Sequence, residues 1–94
     1  MTYSLAFRES ALKEWKKLDP PIREQFKKKL AERLERPRVE SARLSGMPDC
    51  YKIKLKSAGY RLVYQVEDKT VTVVVVAVGR RERNFAYKIA VKRV

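Results

Sequence analysis

The chain has 94 residues, which is enough for one compact domain (residues 1–94) but not for a second core of useful size. Lysine and arginine number 23 against 11 acidic residues, so the net charge is +12 and the expected partners are polyanions, nucleic acid above all. The absence of histidine and the single cysteine, Cys50, exclude an internal disulfide and argue against a zinc or copper centre, and we expect no metal and no cofactor.

The first half of the sequence predicts a strand followed by a helical hairpin. Tyr3, Leu5 and Phe7 alternate with small or polar residues, which predicts a strand over residues 2–7 with one buried face. Apolar residues then recur at helical spacing over residues 10–18 and 20–36, and Asp19 is expected to cap the second helix. The stripes that should be buried are Ala11, Leu12, Trp15 and Leu18 in the first helix, and Ile22, Phe26, Leu30 and Leu34 in the second.

The second half predicts a loop over residues 37–49, three strands and a short terminal helix. The strands are separated by spacings that suit hairpin turns, so we expect an antiparallel meander. The last strand is apolar at nearly every position, which favours a central place beside the N-terminal strand. It should end at Gly79, and a helix capped by Asn84 should run from Phe85 to Ala90. The three strands are Tyr51–Lys56, Tyr60–Val66 and Thr70–Val78.

The predicted class is α+β in the order β-α-α-β-β-β-α, with the three-stranded meander extended by the N-terminal strand and the helical hairpin packed on one face. The first residues lack the charged and apolar regions of a signal peptide, and the run Val71–Val78 is too short to span a bilayer. We therefore expect a cytoplasmic protein that makes no membrane contact.

The strand at residues 51–56 is the strongest candidate for a functional surface. It alternates strictly, so Lys52, Lys54 and Lys56 should project from one face while the residues between them enter the core. If apolar residues of this strand face apolar residues of the next one, Leu55 lies opposite Tyr60. In that register Lys54 lies opposite Arg61. The pattern therefore predicts a row of cations, although lysines on a solvated edge strand that prevent aggregation would look the same.

Two further features carry weaker signals. Arg80, Arg81 and Arg83 follow the last strand, where active-site residues often lie, but a basic turn is also common on solvated surfaces. Tyr87 falls among the apolar residues of the terminal helix, so a partly buried packing role is the simpler interpretation. Trp15, Phe26 and the valine run are assigned to the core, and Cys50 is expected to be inert.

Three segments resemble the RelE branch of the RelE/ParE superfamily of bacterial toxins: residues 46–55, 59–66 and 78–83. The resemblance extends over essentially the whole chain. It implies a compact fold of sheet and helices, and an endonuclease that cuts messenger RNA in the A site of the translating 70S ribosome, in contact with 16S rRNA. It also implies a RelB-like antitoxin, with operator DNA bound only through the antitoxin complex.

The same resemblance implies the site residues. The catalytic set corresponds to Lys52, Lys54, Arg61, Arg81 and Tyr87, and RNA or ribosome contacts are expected from Lys56, Arg43, Arg80 and Arg83. One departure is visible, because RelE proteins can carry an arginine directly before the glycine at position 46, where this chain has Ser45. A contact from that position is in doubt, and Arg43 is the candidate replacement.

Ribonuclease chemistry without histidine leaves lysine and tyrosine as the groups that can move a proton. Crowding by other cations lowers a lysine pKa, so Lys54 is assigned as general base with Lys52 assisting. Arg61 and Arg81 are assigned to transition-state stabilisation, and Tyr87 to stacking on a nucleotide or sharing the proton transfer. The alternatives are a non-enzymatic gyrase poison like the ParE branch, or a plain RNA- or ribosome-binding domain.

Overall fold

The computed structural model describes residues 2–80, 82 and 85–94, apart from the side chain of Phe85. It has the predicted order of elements, with one added turn of 3-10 helix in the loop at Glu40–Ala42. The strands are β1 (Ser4–Phe7), β2 (Cys50–Leu55), β3 (Tyr60–Glu67) and β4 (Thr72–Arg80), and the helices are α1 (Glu9–Lys16), α2 (Pro20–Glu35) and α3 (Phe85–Arg93).

The four strands form one sheet in the order β1-β4-β3-β2. β2, β3 and β4 are the predicted antiparallel meander, and β1 lies beside β4 in parallel. The central place predicted for β4 is therefore confirmed. β1 is short and pairs only with residues Thr72 to Val75, so the second half of β4 has β3 on one side and no strand of the described chain on the other.

Helices cover both faces of the sheet, which explains why β4 is apolar along most of its length. The hairpin α1–α2 packs on one face, where Val73, Val75 and Val78 join Trp15 and Phe26 in the larger core. We call this side the hairpin face. α3 packs on the other side, the α3 face, over a smaller cluster formed by Met47, Cys50, Val63, Val76, Ala77 and Ala90.

Two strand bounds differ from the prediction. β1 begins at Ser4 and not at residue 2, and β2 spans Cys50–Leu55 and not residues 51–56, so Lys56 lies in the turn that follows β2.

Further strand predictions needed correction. Leu5 is 40% exposed, although its alternation with Tyr3 and Phe7 predicted burial, because β1 is an edge strand and the hairpin covers only its ends. β4 begins at Thr72 and not at residue 70, because Val71 closes a turn in the left-handed region (φ 50°) with its N–H bonded to the carbonyl of Asp68.

The other corrections concern where elements end. β4 continues past Gly79 to Arg80, because both residues still pair with β3. α1 spans Glu9–Lys16, and the main-chain N–H groups of residues 17 and 18 turn back to close it. Asp19 does occupy the position before α2, but its side chain makes no capping bond.

Two arginines fix β2 relative to the rest of the fold. The guanidinium of Arg33 on α2 donates to the carbonyl of Lys52 (3.1 Å) and to the hydroxyl of Tyr64 (2.9 Å). Arg38 donates to Asp49 at the start of β2 (3.0 Å) and to Asp68 in the β3–β4 turn (2.7 Å). The outer strand of the sheet is thus held by charge-assisted hydrogen bonds as well as by its pairing with β3.

No helix within residues 2–80, 82 and 85–94 combines the length and the apolar character needed to cross a bilayer.

Candidate active site

The pairing of β2 with β3 brings the predicted cations together. Lys54 lies opposite Arg61 and Leu55 opposite Tyr60, which is the predicted register, across a turn of the four residues 56–59. Gly59 makes this turn possible with a left-handed backbone (φ 71°). Ile53, Leu55 and Leu62 are at most 4% exposed on the hairpin face, so Lys52, Lys54 and Arg61 share the α3 face. We call these three residues the cationic cluster.

α3 borders the cationic cluster through Tyr87. The guanidinium carbon of Arg61 lies 4.9 Å from the centre of the Tyr87 ring, within the range of a cation–π contact. Tyr87 also packs against the small apolar cluster beneath α3. The partly buried packing role expected for Tyr87 is therefore confirmed, and the same residue lies against one of the predicted site cations.

The hydroxyl of Tyr87 is buried, and the Arg61 guanidinium is a polar neighbour of the phenol. Burial raises the pKa of this phenol, against the opposing effect of the Arg61 charge.

Lys54 is exposed, yet its pKa lies below the ordinary lysine value. The main cause is repulsion by the neighbouring Lys52 ammonium, followed by partial desolvation and by the charge of Arg61. Lys56 contributes the smallest share. Crowding by cations predicts a shift in this direction. At a given pH a larger fraction of Lys54 is therefore in the neutral amine form than for an isolated surface lysine.

Lys56 joins the cationic cluster to the end of the sheet. One shallow groove is lined by Lys54, Leu55, Lys56, Tyr60 and Arg61. A neighbouring groove also contains Lys56 and is lined by Arg80 and Glu82. The Arg80 guanidinium lies over the ring of Tyr60 at 5.4 Å, so the basic surface continues around the end of β3 and β4.

Among the described residues, the predicted contact Arg43 is not brought to this place. The backbone of Arg43 forms an isolated antiparallel β-bridge with Tyr51, whose side chain lies on the hairpin face. The Arg43 guanidinium is 3.9 Å from the carboxylate of Glu40. Arg43 and Ser45 line a separate surface groove. The predictions for Arg81, Arg83 and the capping residue Asn84 fall outside the described residues.

One structural contact at the C-terminal end of the chain was not predicted. The sequence pattern marked the terminal helix by apolar residues between Phe85 and Ala90. α3 continues to Arg93, which donates to both carboxylate oxygens of Glu14 (3.0 and 3.2 Å). The signal available in the sequence was the spacing of Ala86, Ala90 and Arg93, which sets all three on one stripe of a helix.

The donor chemistry of the described chain does not suggest a metal site. No three acidic or cysteine side chains of the described residues lie close enough together to hold an ion. Cys50 is fully buried, and burial raises the pKa of its thiol to about 11, so it stays protonated near neutral pH. This agrees with the inert role expected for it.

Comparison with known proteins identifies the family. Residues 5–85 match the family model described as the ParE toxin of the type II toxin-antitoxin system parDE. Over 94 residues the chain is 63% identical to the mRNA interferase toxin RelE of Escherichia coli K12, which covers 100% of this chain and 99% of that protein. The chain belongs to the RelE/ParE family of type II toxins. Its full-length similarity to RelE associates it with the RelE branch.

Solved structures of this family agree with the fold. The free R81A/R83A variant of E. coli RelE superposes with a TM-score of 0.92 at 61% identity, covering 100% of this chain and 99% of that one. The toxin in the intact E. coli RelBE toxin-antitoxin complex gives 0.83 at 64% identity, covering 86% of this chain and 99% of that one. The archaeal RelE from Pyrococcus horikoshii, solved with RelB, shares the fold at 22% identity (TM-score 0.68, 88% of this chain and 99% of that one).

Proposed function

We propose that this toxin is an endoribonuclease that cleaves messenger RNA in the A site of the translating 70S ribosome, by metal-independent attack of the RNA's own 2′-hydroxyl. The observation that carries the proposal is the facing pair of Lys54 and Arg61, with the ring of Tyr87 against Arg61. The name mRNA interferase, carried by relatives at 63% identity over the full chain, supports the same activity.

The reaction requires a base for the 2′-hydroxyl proton. Lys54 is assigned this role because its repulsion by Lys52 favours the neutral amine, and Lys52 assists by that repulsion and by its own charge. A general base placed close to its proton typically accelerates a reaction by about 10²–10⁴-fold. The 2′-oxygen then attacks the adjacent phosphorus to form the 2′,3′-cyclic phosphate. The bond between phosphorus and the 5′-oxygen of the next nucleotide breaks, and that oxygen takes up a proton from solvent water.

The extra charge on the phosphorane requires fixed cations. Arg61, supported by the face of Tyr87, can direct two N–H groups at phosphate oxygens, and Arg81 is proposed for the same task from the segment that follows β4. Tyr87, whose ring lies against the Arg61 guanidinium and whose hydroxyl is buried, is proposed to orient the nucleotide through Arg61. Lys56, Arg80, Arg83 and Arg43 are proposed to contact the RNA or 16S rRNA through their charge.

Several proposals follow from membership of the toxin family. The partner that silences the toxin is a RelB-like antitoxin, since E. coli RelE has been solved with RelB. Its contacting segment should be acidic and partly disordered when free, and should either cover the cationic cluster or displace α3. Operator DNA would be reached only through that complex. The place of action would be the cytoplasm, where ribosomes translate.

The test is single-turnover cleavage on ribosomes programmed with a defined codon in the A site. The expected products carry a 2′,3′-cyclic phosphate and a 5′-hydroxyl, and a chelator should have no effect while ribosomes stay intact. A 5′-phosphate product would mean that water attacked the phosphorus and would refute the assignment of Lys54. Salt-sensitive binding without any cleavage would favour a plain ribosome binder, and inhibition of gyrase would favour the ParE-like alternative.

A further inference from the structure

The open half of β4 is completed by two side chains instead of a strand. β1 reaches only as far as Val75, whose carbonyl accepts from the N–H of Arg8 (2.9 Å). Beyond it, the carbonyl of Val76 accepts from Arg93 (2.8 Å), and the N–H of Val78 donates to Glu14 (3.1 Å). An arginine on one helix and a glutamate on another thus satisfy the hydrogen-bonding groups that a neighbouring strand would use.

These two side chains also bind each other. The two terminal nitrogens of the Arg93 guanidinium donate to the two oxygens of the Glu14 carboxylate, at 3.0 and 3.2 Å. Both side chains are only 21% exposed, so the pair is shielded from water and salt to a degree that surface ion pairs are not. The arrangement joins α1 on the hairpin face to α3 on the α3 face, around the edge of the sheet.

The apolar contacts of the described α3 side chains are modest, because Tyr87 and Ile89 are only partly buried where they pack against the cluster beneath the helix. Of its described side chains only Ala86 and Ala90 are fully buried, and an alanine removes little apolar area from water. Val91 is 56% exposed and contributes little contact. The polar anchor at Arg93 therefore provides a larger share of the attachment of α3 than it would in a helix with a leucine-rich face.

The consequence reaches the candidate site because Tyr87 lies on the same helix. Tyr87 is six residues from Arg93, so a rigid helix anchored at its end keeps the Tyr87 ring at its 4.9 Å distance from Arg61. We infer that Glu14 and Arg93 form a clamp across the open edge of β4 that positions Tyr87, and that both are positioning residues for the toxin's reaction. This last step rests on the proposed function, whereas the clamp itself does not.

The first experiment measures the clamp without any substrate. Arg93→Met keeps the aliphatic stem but removes the donors, and Glu14→Gln removes the charge while keeping an acceptor for Val78. Amide hydrogen exchange of α3 should speed up by roughly tenfold or more in each, since hydrogen bonds to charged groups contribute about that much to an opening equilibrium. Amides of β3 serve as the internal reference for global unfolding, and Lys92→Met, at an exposed neighbour, controls for the lost charge.

A second measurement follows Tyr87 directly. In protein labelled with 13C in its tyrosine rings, the signals that vanish in Tyr87→Phe identify this residue, and Arg93→Met should move them toward values of an exposed tyrosine. The double variant Glu14→Gln/Arg93→Met should be little worse than Arg93→Met alone, because both changes break one interaction. Exchange and ring signals that match the parent protein in Arg93→Met would overturn the clamp.

The final arm uses single-turnover cleavage on programmed ribosomes. Arg93→Met should lower the maximal rate by roughly tenfold while the half-saturating toxin concentration stays unchanged, because the cations that bind RNA are intact. Arg93→Lys should recover part of the rate, as an ammonium restores one donor but not the two-pronged contact. A loosened helix with an unchanged rate would refute the positioning role. If the parent toxin itself fails to cleave, the proposed function is wrong, and the exchange data still decide on the clamp.

Discussion

The two faces of the sheet are built differently. On the hairpin face large rings pack together, with centroids 5.2 Å apart for Phe7 and Trp15, 6.1 Å for Trp15 and Phe26, and 5.7 Å for Tyr51 and Tyr64. Among the described side chains, the α3 face buries mainly valine, alanine, methionine and cysteine. Since hydrophobic stabilisation scales with the apolar area buried, the hairpin face contributes most of the folding free energy, and the α3 face is free to carry charge.

One strand serves both faces. Along β3, Leu62 points into the hairpin core, while its neighbours Arg61 and Val63 belong to the α3 face. Like charges that crowd Lys54 oppose folding, and the hairpin core offsets this cost without contacting the cations. We therefore expect substitutions of the cations on the α3 face to alter activity more than stability. Substitutions on the hairpin face should alter stability more than activity.

The largest expected effect tests the charged side of this comparison. Lys54→Ala should lower the single-turnover cleavage rate on ribosomes by about 10²–10⁴-fold, the usual contribution of a general base. Binding should fall far less, because many other cations remain. The free energy of unfolding should be nearly unchanged, since the side chain is exposed and repelled by its neighbours.

The matched control is Lys28→Ala, which removes one exposed lysine from α2 on the opposite side of the sheet. It should leave the cleavage rate at the parent level. A large loss of stability in Lys54→Ala, measured by urea unfolding, would show that the residue is structural and would break the comparison.

The next effect tests the apolar side. Leu62→Ala should lower the free energy of unfolding by about 2–5 kcal/mol, because it opens a cavity in a fully buried and tightly packed core. Val63→Ala, one residue away but on the α3 face, should cost less, since fewer side-chain carbon atoms are removed and α3 can settle onto the smaller residue. Urea denaturation of both variants checks this order, and an equal or larger cost for Val63→Ala would contradict it.

Local patterns were sufficient to predict most of the fold and part of the site. Strict alternation in β2 and apolar matching with β3 fixed the facing of Lys54 and Arg61, because a shift of one residue would bury lysines and expose Ile53 and Leu55. The order of strands followed from the apolar run of β4, which requires cover on both faces. These features depend on which residues are buried, and the spacing of apolar residues in a single sequence indicates that well.

What the sequence did not reveal depends on distant partners. Arg93 and Glu14 are 79 residues apart, and nothing in either neighbourhood indicates that they meet at the open end of β4. Leu5 has the spacing of a buried strand residue, but its exposure follows from how far the hairpin reaches over β1. The contact of Tyr87 with Arg61 likewise depends on how α3 crosses the sheet, which helical periodicity leaves open.

The smallest expected effect is on the pH dependence of cleavage, which identifies the group on the α3 face that accepts the proton. A neutral Lys54 would act as the base, so the cleavage rate should rise with pH to a midpoint set by its pKa, which Lys52 chiefly and Lys56 slightly hold down. Lys56→Met removes one of these repulsions, the pKa of Lys54 rises, and the midpoint should move upward by a fraction of a pH unit. Lys69→Met, an exposed lysine in the β3–β4 turn, should leave the profile in place. The measurement is single-turnover cleavage at saturating toxin across a pH series, at low ionic strength so that screening does not hide the shift. An unmoved midpoint in Lys56→Met would refute Lys54 as the group whose titration sets the rate.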